Sequence, residues 1–318
     1  MQRALNDNHP PRDSFAASLA KPDWTDHGRD WPHRQTSAFV HAGGLRWHVQ
    51  QMGQGPVVLL IHGTGAATHS WRMLAPLLAE HFTVVAPDLP GHGFTATPDA
   101  SRMSMAAMAQ DLAALLRGLG HRPVMVAGHS AGAAVAARMC LDGSIDPAAL
   151  VGLNAALLPI GGTASRYMLP LARALATSAL VPRLVARFAR NPGMVERMIA
   201  DTGSTLEPAG VAYYRRLVGS PGHVAAAIRM MASWRLDELA AELPRLAPQL
   251  LLIAGSNDRT IAARDATRVQ AMVPGARVEV MQGLGHLAHE ERPADVAGMM
   301  TELAREAGLL PQMVAAAE

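Results

Sequence analysis

Gly128-His129-Ser130-Ala131-Gly132 comes directly after the apolar run Val124 to Ala127 and opens an alanine-rich stretch. A short strand, a sharp turn and the start of a helix, in that order, lift a serine hydroxyl clear of the strand's carboxyl end. The turn is so tight that bulk is excluded two positions either side of the serine. Gly128 and Gly132 meet that demand, and Ala133 and Ala134 leave room for the helix to pack closely. The bland reading is a glycine-rich turn with an incidental serine. Three features elsewhere in the chain speak against it.

The first is His62-Gly63-Thr64-Gly65, immediately after the apolar run Val57 to Ile61. A turn there can aim backbone N–H groups at a developing oxyanion, with Thr64 and Ala131 as the expected donors. His62 reads as a structural support of that turn. The second is Asp258, in Gly255-Ser256-Asn257-Asp258 after the run Leu250 to Ile253, where a carboxylate can orient an imidazole. Its competing reading is an Asx-turn residue leading into a helix near Ala262. The other place for an acid follows Leu150 to Leu153, but Asn154 stands there and cannot stabilise an imidazolium in the same way. The third is His286, in Gly283-Leu284-Gly285-His286 after Val278 to Met281. Ser130, Asp258 and His286 thus read as nucleophile, orienting acid and base, in that chain order.

The runs named so far, with Thr83 to Ala86, are each too short for a globular helix, and helical periodicity separates them. Between two of them Met105, Met108, Leu112, Leu115, Leu116 and Leu119 recur at helical spacing behind Ser104, a plausible N-cap. Phe39-Val40 and the alternating Leu45 to Val49, split by Gly43-Gly44, read as an opening hairpin. The pattern predicts an α/β protein: a mostly parallel, eight-stranded-type sheet with helices on both faces and chemistry at the strands' carboxyl ends.

The strand rhythm stops after Leu153 and resumes at Leu250, too long a gap for a structureless loop. Pro170, Pro182, Pro192, Pro208 and Pro221 cut it into short helical pieces, among them Val211 to Val218 and His223 to Trp234. The expected organisation is an N-terminal extension over residues 1–37, a core over 38–155 and 240–318, and a helical lid over 156–239. Met168, Met194, Met198, Met230 and Met231 are candidates to line an apolar lid pocket, against the commoner reading of ordinary packing. Val314 to Glu318 is expected to fray.

The 318 residues are 49% apolar, enough for one large domain. The formal charge is +2 and no dense basic block appears, the basicity being carried almost wholly by arginine with Lys21 the only lysine, so nucleic acid is not an expected partner. Cys140 is alone and sits among apolar neighbours, which excludes an intrachain disulfide and suits a reducing, cytoplasmic setting. The first 37 residues are polar and proline-broken, unlike a secretory signal. No apolar run reaches bilayer-spanning length. Leu169 to Val185, interrupted by Arg173 and Arg183, reads first as a helix packing inward and second as a peripheral contact with a membrane surface. His286 and His289 lack metal-site spacing, so no metal and no cofactor is expected, and His289 reads as structural.

With strand, elbow, acid and base in place, residues from about Phe39 to Leu303 resemble the α/β-hydrolase superfamily, and Asp88-Leu89-Pro90-Gly91-His92-Gly93 matches a further signature of it. Within it the chain looks like the magnesium-chelatase accessory proteins of bacteriochlorophyll biosynthesis. Asp30-Trp31-Pro32, Gly43 through Gln50, His69-Ser70-Trp71-Arg72, Met139 through Gly143, Ser220-Pro221-Gly222-His223-Val224 and Gly283 through Pro293 carry that likeness. The resemblance implies a role beside the multi-subunit chelatase that inserts magnesium into protoporphyrin IX, with a small-molecule substrate such as a porphyrin or its ester. Three other readings stay open: a porphyrin-binding or delivery protein with a dispensable triad, a general carboxylesterase unrelated to pigment, and cofactor-free lyase or peroxidase chemistry. Epoxide hydrolase and dehalogenase chemistry need an aspartate where Ser130 stands.

Overall fold

The computed structural model describes residues 19–159 and 178–312. The expected fraying of Val314 to Glu318 and the placement of Met168 lie outside them. One eight-stranded sheet runs through the molecule in the order β1-β2-β4-β3-β5-β6-β7-β8. Its strands are β1 (Ser37–Ala42), β2 (Leu45–Met52), β3 (Val57–Ile61), β4 (Thr83–Pro87), β5 (Met125–His129), β6 (Ala149–Leu153), β7 (Gln249–Gly255) and β8 (Arg277–Met281). The hairpin β1–β2 is antiparallel, as is the β2–β4 pairing, and every later pairing is parallel. This is the mostly parallel α/β sheet that the alternation of strands and helices predicts, and the α/β-hydrolase fold that the resemblance implies.

Alternate residues of the central strands feed opposite layers, as the two-residue period of a strand requires. Leu59, Ile61 and Val126 pack with Met108, Leu112 and Val135 of the helices Met105–Leu119 and Ala131–Leu141. Val58, Leu60, Met125 and Ala127 face Leu74 and Leu78 of the helix Leu74–Ala79 and Val296 and Met300 of Pro293–Glu306. Ser104 caps its helix, its hydroxyl accepting from the Ala107 N–H at 3.3 Å. β5 runs two residues past the apolar run because its pairing continues to His129 opposite Leu153.

Between β6 and β7 the described residues form five α-helices, Leu180–Phe188, Met194–Asp201, Pro208–Val218, Pro221–Ala232 and Leu236–Glu242, and a 3-10 turn, Leu243–Arg245. Pro208 and Pro221 each open a helix, the position where a missing N–H costs nothing. Residues 19–36 tie these helices to the sheet. The Gly222 N–H donates to the Ala20 carbonyl at 2.8 Å, Tyr213 Oη donates to the Asp30 carbonyl at 3.1 Å, and Trp31 Nε1 donates to Thr68 Oγ1 at 2.9 Å. Lys21 Nζ donates to the Thr95 carbonyl. Burial lowers its ammonium to about 8, and Asp88 opposes that shift. Cys140 is half-buried and unpaired, its thiol pushed up to about 12 by burial.

Asp88 braces the loops on this side of the sheet. Its carboxylate accepts from the N–H groups of Thr68 at 2.7 Å and Phe94 at 2.8 Å and from His48 Nδ1 at 2.8 Å, in full burial. Burial alone would raise its carboxyl, but the His48 imidazole and the Phe94 N–H hold it below the usual carboxylate range. Removing one partner of such a cluster leaves buried donors uncompensated. Asp88→Ala is expected to lower stability by ~3–5 kcal/mol, read as a reduced urea midpoint at unchanged slope.

Candidate active site

The sheet's register alone brings the ends of β5, β6 and β7 side by side, since Leu153 pairs with both His129 and Ile253. Ser130 follows β5 with φ 50° and ψ −115°, a left-handed conformation held by its own backbone bonds. Its N–H donates to the Leu153 carbonyl at 2.8 Å, and its carbonyl accepts from Ala133 and Ala156, each at 3.1 Å. Strain of this kind persists only where the surroundings fix it. The half-buried hydroxyl makes no hydrogen bond among the described residues. Close approach, not positive φ, explains the flanking glycines. A Cβ on Gly132 would stand 2.0 Å from the Ile61 carbonyl oxygen, and one on Gly128 would stand 2.4 Å from the Ala133 nitrogen.

The side chains expected as acid and base meet. His286 Nδ1 donates to Asp258 Oδ2 at 2.7 Å, both side chains being buried. That bond places the ring proton on Nδ1 and leaves Nε2 with its lone pair for a proton from elsewhere. The two readings of Asp258 divide between its two oxygens. Oδ1 accepts from the N–H groups of Thr260 at 2.7 Å and Ile261 at 2.9 Å, the Asx-turn role, while Oδ2 faces the imidazole.

His129, beside Ser130, donates from Nε2 to the His286 carbonyl at 2.9 Å, which ties the elbow to the base loop. Gly63 makes room for it: a Cβ there would lie 2.8 Å from His129 Nδ1. His62 bridges the turn, accepting from the Leu89 N–H at Nε2 and donating from Nδ1 to the Gly63 carbonyl, each at 2.8 Å. The backbone N–H groups of Thr64 and Ala131 donate to no acceptor among the described residues, the condition an oxyanion would need. The Thr64 hydroxyl donates to Met230 Sδ at 3.6 Å. Of the methionines proposed for an apolar pocket, Met230 alone among those described touches a site residue in this way. Met198 and Met231 are exposed.

Three contributors escaped the sequence. Asn154, at φ 46° after β6, donates from Nδ2 to Asp258 Oδ2 at 2.7 Å, so the amide steadies the carboxylate that faces His286. The only signal was an Asn at a strand end, a residue type that tolerates this conformation. Thr202, Gly203 and Ser204, from the inserted segment, clamp both loops. The His286 N–H donates to the Thr202 carbonyl at 3.3 Å, Asn257 Nδ2 donates to the Gly203 carbonyl at 2.8 Å, and Ser204 Oγ accepts from the Leu287 N–H at 2.8 Å. Behind the base loop, buried Glu290 accepts from Arg72, from Ser70 Oγ at 2.8 Å and from Tyr214 Oη at 2.6 Å. His289 Nε2 donates to Ser70 Oγ at 2.8 Å, and its ring lies 4.4 Å from that of His129.

Among the described residues no three His, Cys, Asp or Glu side chains converge as metal ligands would. Burial lowers His62, His69, His92 and His129, and brings His223 and His289 each to about 3.

Residues 58–299 match the model of the alpha/beta hydrolase family. The magnesium-chelatase 30 kDa subunit of Rhodobacter capsulatus is 38% identical over 275 residues, which span 86% of this chain and 96% of that protein. Among solved structures, an alpha/beta hydrolase fold protein from Burkholderia ambifaria superposes with a TM-score of 0.70 at 22% identity, covering 84% of this chain and 97% of that one. A thermophilic esterase from Thermogutta terrifontis superposes with a TM-score of 0.68 at 24% identity, covering 85% and 98%. At such identities the two structures speak for the fold alone.

Two outcomes follow from this geometry. Asn154→Asp sets a second carboxylate against Asp258. Relative to the unsubstituted chain its thermal midpoint is expected to be depressed most at neutral pH and to recover as pH falls into the carboxylate range. The neutral imidazoles act in the opposite sense on the parent protein. Folding excludes protons that the unfolded chain binds below about pH 6.5, so stability is fully present above that pH and is lost on acidification. Each ring contributes up to ~1.4 kcal/mol per pH unit, and urea midpoints measured from pH 7.5 downward should decline steadily once below about 6.5.

Proposed function

The chain belongs to the α/β hydrolase family, and we propose that it is a serine hydrolase of carboxylic esters that supports magnesium insertion into protoporphyrin IX, beneath a lid formed by the helices between β6 and β7. The observation that carries the catalytic assignment is the His286–Asp258 pair at 2.7 Å beside the strained elbow of Ser130. The link to pigment rests on the 38% identity with a magnesium-chelatase subunit over 86% of the chain.

In the proposed reaction Ser130 Oγ attacks the ester carbonyl while His286 Nε2 takes its proton. Asp258 Oδ2 holds the Nδ1 tautomer and balances the imidazolium. The N–H groups of Thr64 and Ala131 receive the negative charge on the carbonyl oxygen, a contribution worth about 10²- to 10³-fold in rate for a single donor. His286 returns its proton to the departing alkoxide. It then takes one from water, whose oxygen attacks the acyl carbon, and gives that proton to Ser130 Oγ as the bond to the serine breaks and the acid leaves. A porphyrin or its ester is the proposed substrate, and the chelatase the proposed functional partner. Among the described residues no helix is long and apolar enough to cross a membrane.

Ser130→Ala tests both the catalytic assignment and the link to pigment. Turnover of a p-nitrophenyl ester should drop at least about 10³-fold with the melting curve unchanged. In a bacteriochlorophyll-producing host lacking the corresponding gene, the variant should fail to restore pigment. Full esterase turnover by Ser130→Ala refutes the catalytic assignment. Pigment rescue by an inactive variant refutes the need for catalysis and favours porphyrin binding or delivery. Absence of rescue by the unsubstituted chain refutes the link to magnesium insertion.

A further inference from the structure

The outer face of the helix Leu180–Phe188 inverts the usual order of a surface helix. Pro182 and Ala186, with Ala179 and Ala189 at its ends, are buried against the molecule, and the helix packs on Pro221–Ala232. Leu180, Leu184 and Phe188 are 62%, 42% and 55% exposed. At about 100° per residue these three fall within an arc of roughly 80°, centred on the side opposite the buried alanines. A surface helix presents polar groups there unless the apolar stripe has its own function.

The flank of the stripe is cationic. Arg183, Arg187 and Arg190 are exposed, lie along one edge of it, and form no ion pair among the described residues. The charge is not offset nearby in sequence. From Pro147 to Val195 there is no aspartate or glutamate, while Arg166, Arg173, Arg183, Arg187 and Arg190 fall in the same stretch. Glu196, the first acid after it, is paired with Arg215. An exposed leucine and phenylalanine stripe edged by arginines is the pattern of a helix lying in the interface of an anionic bilayer, its apolar side chains among the acyl chains and its guanidinium groups at the phosphates.

We infer that Leu180–Phe188 docks the protein peripherally on anionic membrane surfaces. The reading is independent of catalysis, although the two meet in space. The helix beneath the stripe is the one whose Met230 touches Thr64 and whose His223 donates from Nε2 to the Gly65 carbonyl at 3.0 Å. Docking would therefore set the cover of the oxyanion loop against the bilayer, where an amphiphilic substrate partitions. The sequence pattern around Leu169 to Val185 favours an inward-packing helix. Among the described residues of that stretch, the helix packs inward on one face and leaves the opposite face apolar and open, and the remainder lies outside the described residues.

Cosedimentation of the full chain with sucrose-loaded vesicles tests the inference. Binding is expected to vesicles of equal parts phosphatidylcholine and phosphatidylglycerol, to weaken in high salt, and to be absent with phosphatidylcholine alone. The triple substitution Leu180→Ser, Leu184→Ser, Phe188→Ser should lower the partition coefficient at least about tenfold, as should Arg183→Gln, Arg187→Gln, Arg190→Gln. Both sets are at exposed positions, and circular dichroism melts check that they fold. The inference is overturned if the parent chain stays in the supernatant with anionic vesicles at low salt, or if the triple serine variant sediments as well as the parent. It is also overturned if light scattering shows that the stripe joins two copies and the dimer ignores lipid.

Discussion

The start of the helix Ala131–Leu141 presses against the end of β3, with the Gly132 α-carbon so near the Ile61 carbonyl that a single added carbon would stand 2.0 Å from it. Everything at the candidate site depends on that approach. Beside it Ser130 is held at φ 50°. It also brings the helix start against the carbonyls of Ile61 and His62, and the N–H groups of Thr64 and Ala131 on either side donate to no acceptor among the described residues. A longer turn would relieve the strain and scatter these groups.

The opposite side of the rim is held both by bonds between its own loops and by the inserted segment. The loops after β7 and β8 carry Asp258 and His286 and are joined directly, the Ser256 N–H donating to the Met281 carbonyl at 3.0 Å, the Asn257 N–H to the Leu284 carbonyl at 2.8 Å and the Gly283 N–H to Ser256 Oγ at 2.8 Å. Thr202 to Ser204 reach in from the inserted helices and bond both loops, while Asn154 steadies the carboxylate from β6. The inserted helices are in turn tied down through Arg72, which bonds Glu207 at 2.7 Å and pairs with buried Glu290. Burial raises the Glu290 carboxyl, and Arg72 and its hydroxyl donors resist that shift. The geometry of Asp258 and His286 thus depends on Thr202 to Ser204 as well as on their own loops, and movement of the inserted helices would be felt at His286.

Much of this was legible in sequence because it is local. The strands announced themselves as short apolar runs, and the elbow as a glycine pair around a serine, since both depend on residues within a few positions of one another. The conflict at Asp258 was real, and its resolution needed coordinates: one carboxylate has two oxygens, and the turn and the imidazole take one each. What sequence could not give was long-range. Asn154 lies 104 residues from Asp258, and Ser70 lies 220 from Glu290, so no periodicity or spacing links them. The outward apolar face of Leu180–Phe188 was hidden for a different reason. Hydrophobic periodicity finds a stripe but does not say which side of the helix the protein covers.

Catalysis at this rim requires Ser130 to be an activated nucleophile, and the most direct measurement is labelling with a fluorophosphonate followed by peptide mass mapping. A single adduct on the peptide containing Ser130 is expected, forming at a rate that collapses in His286→Ala while the fold is retained. No adduct at Ser130 in the folded parent chain, or one that forms equally fast without the imidazole, would contradict it.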